Sequence, residues 1–241
     1  NAMSIELVLE LADVLEAVAA DNSCRVVVLT GAGRAFCSGL DLKDHGILPG
    51  IDGLPMGRIA QRSMHAYSRI VPILRRMPQP VVAAVNGVAA GAGANIAYAC
   101  DLTLAAESAN FIQSFINIGL IPDSGGTFTL PRLVGMQRAF GQMILAPKIS
   151  AKEAEAQGMI WKAVPDAELM NEATALAKKL AVMPTKAIAL TKDALNRSQN
   201  NSLDGQLDVE NELQSLAGRS HDYNEGVNAF LEKRKPVYKG E

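Results

Sequence analysis

The stretch from Gly87 to Asp101, GVAAGAGANIAYACD, has the residue types best fitted to chemistry. The apolar run from Val81 to Val85 leads into it and reads as a buried strand. Asn86-Gly87 then turns the chain, and from Ala89 to Ala94 no side chain is larger than a methyl group. A strand that feeds a helix through Gly and Ala brings bare backbone N–H groups close to a ligand. The first N–H groups of a helix lack internal partners and sit at the positive end of its dipole. Such a site suits a developing oxyanion. The same residues equally suit a helix packed tightly on a sheet, and the stretch alone leaves both readings open.

Other motifs exclude more than they assign. Gly31 to Gly39, GAGRAFCSG, reads as a glycine-punctuated loop. It is no dinucleotide fingerprint, because the third glycine of that pattern falls on Phe36; GAGANI fails in the same way at Ile96. Neither stretch is followed by the Gly-Lys-Ser/Thr of a phosphate loop. Ser38 is no nucleophile elbow, since Phe36 and Leu40 stand where glycines are needed. His45, His65 and His221 show no metal spacing, so no metal is expected.

The elements that position these residues follow from pattern. With 241 residues, 49% apolar but only 5% aromatic, the chain suits one large domain with an aliphatic core. A net charge of −2 argues against general nucleic-acid binding. Cys24, Cys37 and Cys100 lack paired spacing, which favours a reducing, cytoplasmic setting without disulfides. Gly, Ala and two Asn make 81–100 a poor membrane span and a better strand plus buried helix. Ser4 reads as the cap of a first helix with a stripe of Leu7, Leu11, Val14, Leu15 and Val18. Val26 to Thr30, Leu102 to Ala105 and a run from Phe111 read as strands, Arg58 to Met77 as a helix. Gly and Pro make Leu42 to Gly57 a loop. Ser150 with Glu153 forms a capping-box pattern. Helical patterns then run over 171–183, 185–196, 203–216 and 222–235. Strands mixed with helices, then helices alone, give an α/β core with a helical C-terminal region.

VVVLTGAGRAFCSGLDL at 26–42, PQPVVAAVNGVAAGAGANIAYACDL at 78–102, FIQSFINIGLIPDSGGTFTLPRLVG at 111–135 and the tail EGVNAFLEKRKPVYKG resemble the crotonase superfamily, the enoyl-CoA hydratase/isomerase family. The resemblance covers nearly the whole chain in order. It implies a crotonase-like spiral of ββα turns over 1–183 and a helical region at 184–241 that builds trimers or dimers of trimers. It implies an acyl-CoA partner, coenzyme A entering as part of the substrate, and no separate cofactor. Family members usually begin with a further β-hairpin, so the chain is expected to open inside the first helix. By position, the family's oxyanion hole falls on the backbone N–H groups of Ser38 and Ala92. The alternative for Ser38 is an ordinary turn serine.

The family's hydratases use two glutamates, whose positions here are Asn95 and Phe115. Neither side chain works as a carboxylate does. One acid remains at a suitable place, Asp123, where some enoyl-CoA isomerases of the family carry their single acid. GAGAN and GLIPDSGGT resemble the 1,2-epoxyphenylacetyl-CoA isomerase branch of phenylacetate degradation most. The expected activity is therefore an acyl-CoA isomerase that moves a proton through a stabilised enolate. The alternatives are a hydratase with an atypical acid set, drawing on Asp41 or Glu107, and a non-catalytic acyl-CoA-binding protein. Asp123 alternatively caps a helix. Asn95 either bonds Asp123 or substrate, or serves nearby backbone. CoA is expected across the loop after Val26–Thr30, with Lys233, Arg234 and Lys235 as phosphate contacts and Lys43 a lesser one. The tail cluster alternatively complements a helix dipole. The loop from Leu48 to Met64 would shape the acyl pocket.

Overall fold

The computed structural model describes residues 1–44 and 68–241. His45, His65 and the acyl-pocket loop lie outside these residues, as does the first half of the span expected to be helical from Arg58; residues 68–76 are helical (α2). Two parallel layers form the core. One sheet has the order β10-β7-β5-β2, built from Lys162–Val164, Leu102–Ala106, Val81–Val85 and Val27–Thr30. The other has the order β3-β6-β8-β9, from Ala35–Cys37, Val88–Ala90, Asn110–Ile112 and Ile149–Ser150, with only β8–β9 antiparallel. Consecutive strands split between the sheets: β2 then β3, β5 then β6, β7 then β8. Helices α2, α3 (Ala92–Ala99) and α4 (Gly126–Val134) follow these pairs in turn. That alternation is the crotonase-like spiral of ββα turns.

β5 is the centre. All five of its side chains are fully buried, as expected for a parallel strand covered on both faces. α3 is buried along its whole length. The expected glycine loop at 31–39 instead contains β3 and joins β4 (Gly39–Leu40). Its glycines permit close backbone packing, since a Cβ on Gly31 would meet the Ala35 carbonyl oxygen at 2.1 Å.

The first helix, α1, runs Ile5–Ala20, and Ser4 caps it by accepting from the Leu7 N–H. The chain does not open inside this helix: β1 (Ala2–Met3) precedes it and pairs with β4. The apolar stripe is also rotated from the expected one. Val8, Ala12 and Leu15 are buried, whereas Leu7 and Val14 are exposed. The buried face runs through small Ala12, which a stripe chosen by hydrophobic size overlooks.

After α5 (Met136–Leu145), the capping box forms as read: Ser150 and Glu153 bond reciprocally at the start of α6 (Ala151–Ala156). The C-terminal helices are α7 (Leu169–Ala181), α8 (Thr185–Ser198), α9 (Leu203–Ala217) and α10 (His221–Leu231). α10 stops before the expected Lys235, because Lys233 takes a left-handed conformation (φ 57°). Among the described residues, no helix is long and apolar enough to cross a membrane.

One buried charge pair fixes α8 to the core. Lys192 Nζ lies 2.7 Å from Asp101 Oδ2, and that oxygen also accepts the Val81 N–H at 2.8 Å. Lys192 is only 7% exposed. Removing Lys192 leaves the Asp101 side chain, among the described residues, with only the Val81 N–H and Arg75 at 3.9 Å, which puts the cost at the low end for a broken buried pair. Lys192→Met is expected to cost about 3 kcal/mol of stability, read from urea denaturation. An unchanged midpoint would reject this anchor.

Candidate active site

The first turn of α3 and the loops that meet it build the site. The helix's first internal bond runs from Asn95 N–H to Gly91 O at 3.2 Å. The N–H groups of Ala92, Gly93 and Ala94 precede it and have no partner inside α3. Ser38 lies beside them, as its two neighbours show. A Cβ on Gly93 would meet Cys37 Cβ at 2.5 Å, and one on Gly39 would meet Ala90 O at 3.0 Å. The two stretches are in backbone contact because these positions carry no side chain. Ser38 is exposed and its N–H donates to the Asn1 main-chain oxygen at 3.1 Å. A ligand oxygen can take that N–H only by displacing this contact, whereas Ala92 meets no such competitor within its helix.

Asn95 is fully buried and its amide is used at both ends. Nδ2 donates to the Asp123 main-chain oxygen at 2.8 Å, and Oδ1 accepts from Gln113 Nε2 at 2.8 Å. Of the expected alternatives, Asn95 therefore bonds Asp123, but through its peptide and not its carboxylate. Gly126 makes room for this amide; a Cβ there would stand 2.3 Å from Nδ2. Gln113 is a residue the sequence reading missed. Its only signal was its place immediately after β8, at the carboxyl end of a core strand. Phe115, at the second glutamate position, is buried, and its ring lies 3.6 Å from a Cβ built on Gly91.

Asp123 is half-buried. It does not cap α4: the cap position is Gly125, and no side chain bonds the first turn. Its Oδ1 is buried without a hydrogen-bond partner among the described residues. Burial raises its pKa above the ordinary carboxylate range, while the adjacent Ser124 hydroxyl acts the other way. Ser124 itself is held at φ 48°, a costly conformation for a residue with a side chain. Asn95 sits one turn after Ala92, so its bond sets the Asp123 peptide against the same turn that presents the free N–H groups.

Asp41 and Glu107 have structural partners, as expected. Asp41 Oδ1 accepts the Lys43 N–H, and Glu107 pairs with Lys152 at 3.1 Å. The Lys43 side chain is exposed. Lys233 and Lys235 are exposed beyond α10. Arg234 is committed elsewhere, with Glu225 at 2.6 Å and Glu232 at 2.6 Å. The Arg234 guanidinium pulls the Glu225 carboxyl down to about 2. The three cysteines are free, and Cys37 packs under the site with its thiol pKa raised by burial.

Comparison with known proteins places this geometry. Residues 1–241 match the family model described as enoyl-CoA hydratase/isomerase. The chain is 46% identical over 240 residues to 1,2-epoxyphenylacetyl-CoA isomerase of Escherichia coli, covering 100% of this chain and 90% of that protein. It is 47% identical over 221 residues to a "probable enoyl-CoA hydratase" of Rhodobacter capsulatus, covering 92% and 83%. A solved enoyl-CoA hydratase from Bacillus anthracis superposes with a TM-score of 0.91 at 35% identity, covering 100% of this chain and 91% of that one.

A raised carboxylate pKa makes a signed stability prediction. Folding favours the protonated form of Asp123, so its contribution is fully present below the ordinary Asp pKa and lost as pH rises through the raised value. At neutral pH the ionised group costs stability. Asp123→Asn is expected to raise the urea midpoint at pH 7, with the gap closing below about pH 4. A variant less stable than the parent at pH 7 would contradict the assigned environment.

Proposed function

The chain belongs to the enoyl-CoA hydratase/isomerase family, and within it we propose that this protein is an acyl-CoA isomerase with Asp123 as its acid–base group. One observation carries the reading. The two positions that hold the hydratase glutamates in this family are Asn95, whose amide is spent on Gln113 and the Asp123 peptide, and Phe115, which is buried. Asp123 is left with a carboxylate free of helix-capping duty. The resemblance to an isomerase at 46% identity supports the same choice.

The chemistry balances with one carboxylate. Asp123 removes a proton from C2 of a 3-enoyl thioester, and the electron pair moves onto the thioester oxygen. The Ala92 N–H receives the developing charge, joined by that of Ser38 once the Asn1 carbonyl is displaced. The same proton returns at C4, giving the 2-enoyl thioester without adding water. An epoxyphenylacetyl thioester uses the same donors for its carbonyl oxygen. The raised pKa of Asp123 brings its conjugate acid closer to working pH, which suits a group that must both take and give a proton.

The proposal includes a homotrimer or dimer of trimers built in part by the helices after residue 183, with acyl-CoA as partner. Large apolar side chains exposed on those helices and beside α4 support it: Phe230 is 83% exposed, Leu203 75% and Ile121 80%. Light scattering is expected to give three or six times the 25.6 kDa chain mass. A monomeric mass would remove this part.

The activity is tested by offering 3-enoyl-CoA, 2-enoyl-CoA and 1,2-epoxyphenylacetyl-CoA side by side. Isomerisation of the first or third with little hydration of the second is expected. Asp123→Asn is expected to lower turnover and C2 proton exchange by about a thousandfold. Acyl-CoA affinity should stay within a few-fold. Undiminished turnover in that variant would end the proposal.

A further inference from the structure

At the opposite end of the main sheet from Ser38 and Ala92 lies a cavity of about 620 Å³. Its walls are the turn before β2, the turn before β5, the start of α8, the α9–α10 junction and the residues from Lys239 to Glu241. Arg25, Arg76, Lys186, Arg219 and Lys239 line it, against a single carboxylate side chain, that of Glu241. In a chain with a net charge of −2 this is a concentrated positive surface.

The cations are not neutralised by one another's partners. Arg25 donates to Thr185 Oγ1 at 2.6 Å, to Met183 O at 2.7 Å and to Lys239 O, all uncharged oxygens. Among the described residues the Arg219 side chain bonds only the Ser215 hydroxyl, at 2.8 Å. No salt bridge engages Arg76, Lys186 or Lys239 among the described residues. α8 adds its N-terminus, where no side chain caps the first turn. Gln79, only 2% exposed, also lines the cavity; its unpartnered Oε1 is an acceptor, because its Nε2 is spent on Val18 O and Asp21 O, and a phosphoryl group meets it only through a protonated oxygen. Arg76, Lys186, Arg219 and Lys239 are exposed and free to turn toward an anion, and guanidinium groups match phosphate oxygens in geometry.

We propose that this cavity binds a small anion with more than one phosphoryl group, separately from the reaction site. β5 spans the interval between the two, five residues at about 3.3 Å each. An occupant would tie the helical region to the core through Arg25, Lys186 and Lys239 at once, and so stabilise the fold by mass action.

Calorimetry and thermal denaturation with pyrophosphate test the site, with adenosine 3′,5′-bisphosphate as the arm representing the nucleotide end of a CoA substrate. Pyrophosphate is expected to bind, to raise Tm, and to weaken in 0.5 M salt. The double variant R76Q/K186Q, whose replaced side chains make no hydrogen bond or salt bridge among the described residues, is expected to lose about tenfold or more in affinity with unchanged turnover. Absent binding, or equal binding by the double variant, would overturn the proposal. So would a raised acyl-CoA KM in that variant together with competition by the bisphosphate, since the cavity would then serve the substrate.

Discussion

The site depends on one buried amide. Asn95 stands in the first turn of α3, with Gln113 on its oxygen and the Asp123 peptide on its nitrogen. A carboxylate in that place offers only acceptors, so it could not donate to the Asp123 carbonyl. The amide has one acceptor end and one donor end, and both are needed. Exchanging acid for amide thus removes a proton carrier and supplies a strut. The strut sets the Asp123 backbone against the turn that presents the Ala92 N–H. Chemistry lost at one position and geometry gained at another follow from the same substitution.

That arrangement requires backbones closer than side chains allow. Gly93 against Cys37, Gly126 against Asn95 and Gly39 against the Ala90 carbonyl are three contacts in which a methyl group would collide. Together they draw β4, α3 and the start of α4 around one small volume. Small residues alone did not distinguish tight packing from an oxyanion site, and the structure shows why: tight packing is what brings Ser38 beside Ala92.

The long, strongly patterned parts were legible in the sequence. β5, the Ser4 cap, the capping box at Ser150 and the C-terminal helices follow from local rules that tertiary contacts did not overrule. What escaped was set by contacts distant in sequence. β3 and β6 are three-residue strands fixed by register across the second sheet, too short to carry a period. The stripe of α1 turned because its buried face includes small Ala12, which size-weighted patterning discounts. The family resemblance marked positions 95, 115 and 123 as decisive, yet it could not give the partners of Asn95. Gln113 reaches it across 18 residues of sequence. Arg234 read as a free cation for phosphate because nothing local shows that Glu225, nine residues earlier, folds back to hold it.

The site is also where the molecule is least comfortable. Ser124 is left-handed, the Asp123 Oδ1 lacks a partner among the described residues, and burial disfavours the carboxylate's charge. Such features persist only where surrounding structure over-determines them. Here the restraint comes from both sides: the Asn95 bond from α3, and the Gly126 N–H donating to the Asp123 carbonyl at 2.8 Å from α4. Both helices rest on a core whose central strand has no exposed side chain. The restraint grips the peptide of Asp123, and among the described residues no cation pairs with its carboxylate, so the group is located without being neutralised. A salt bridge would have secured the side chain more firmly and lowered its pKa.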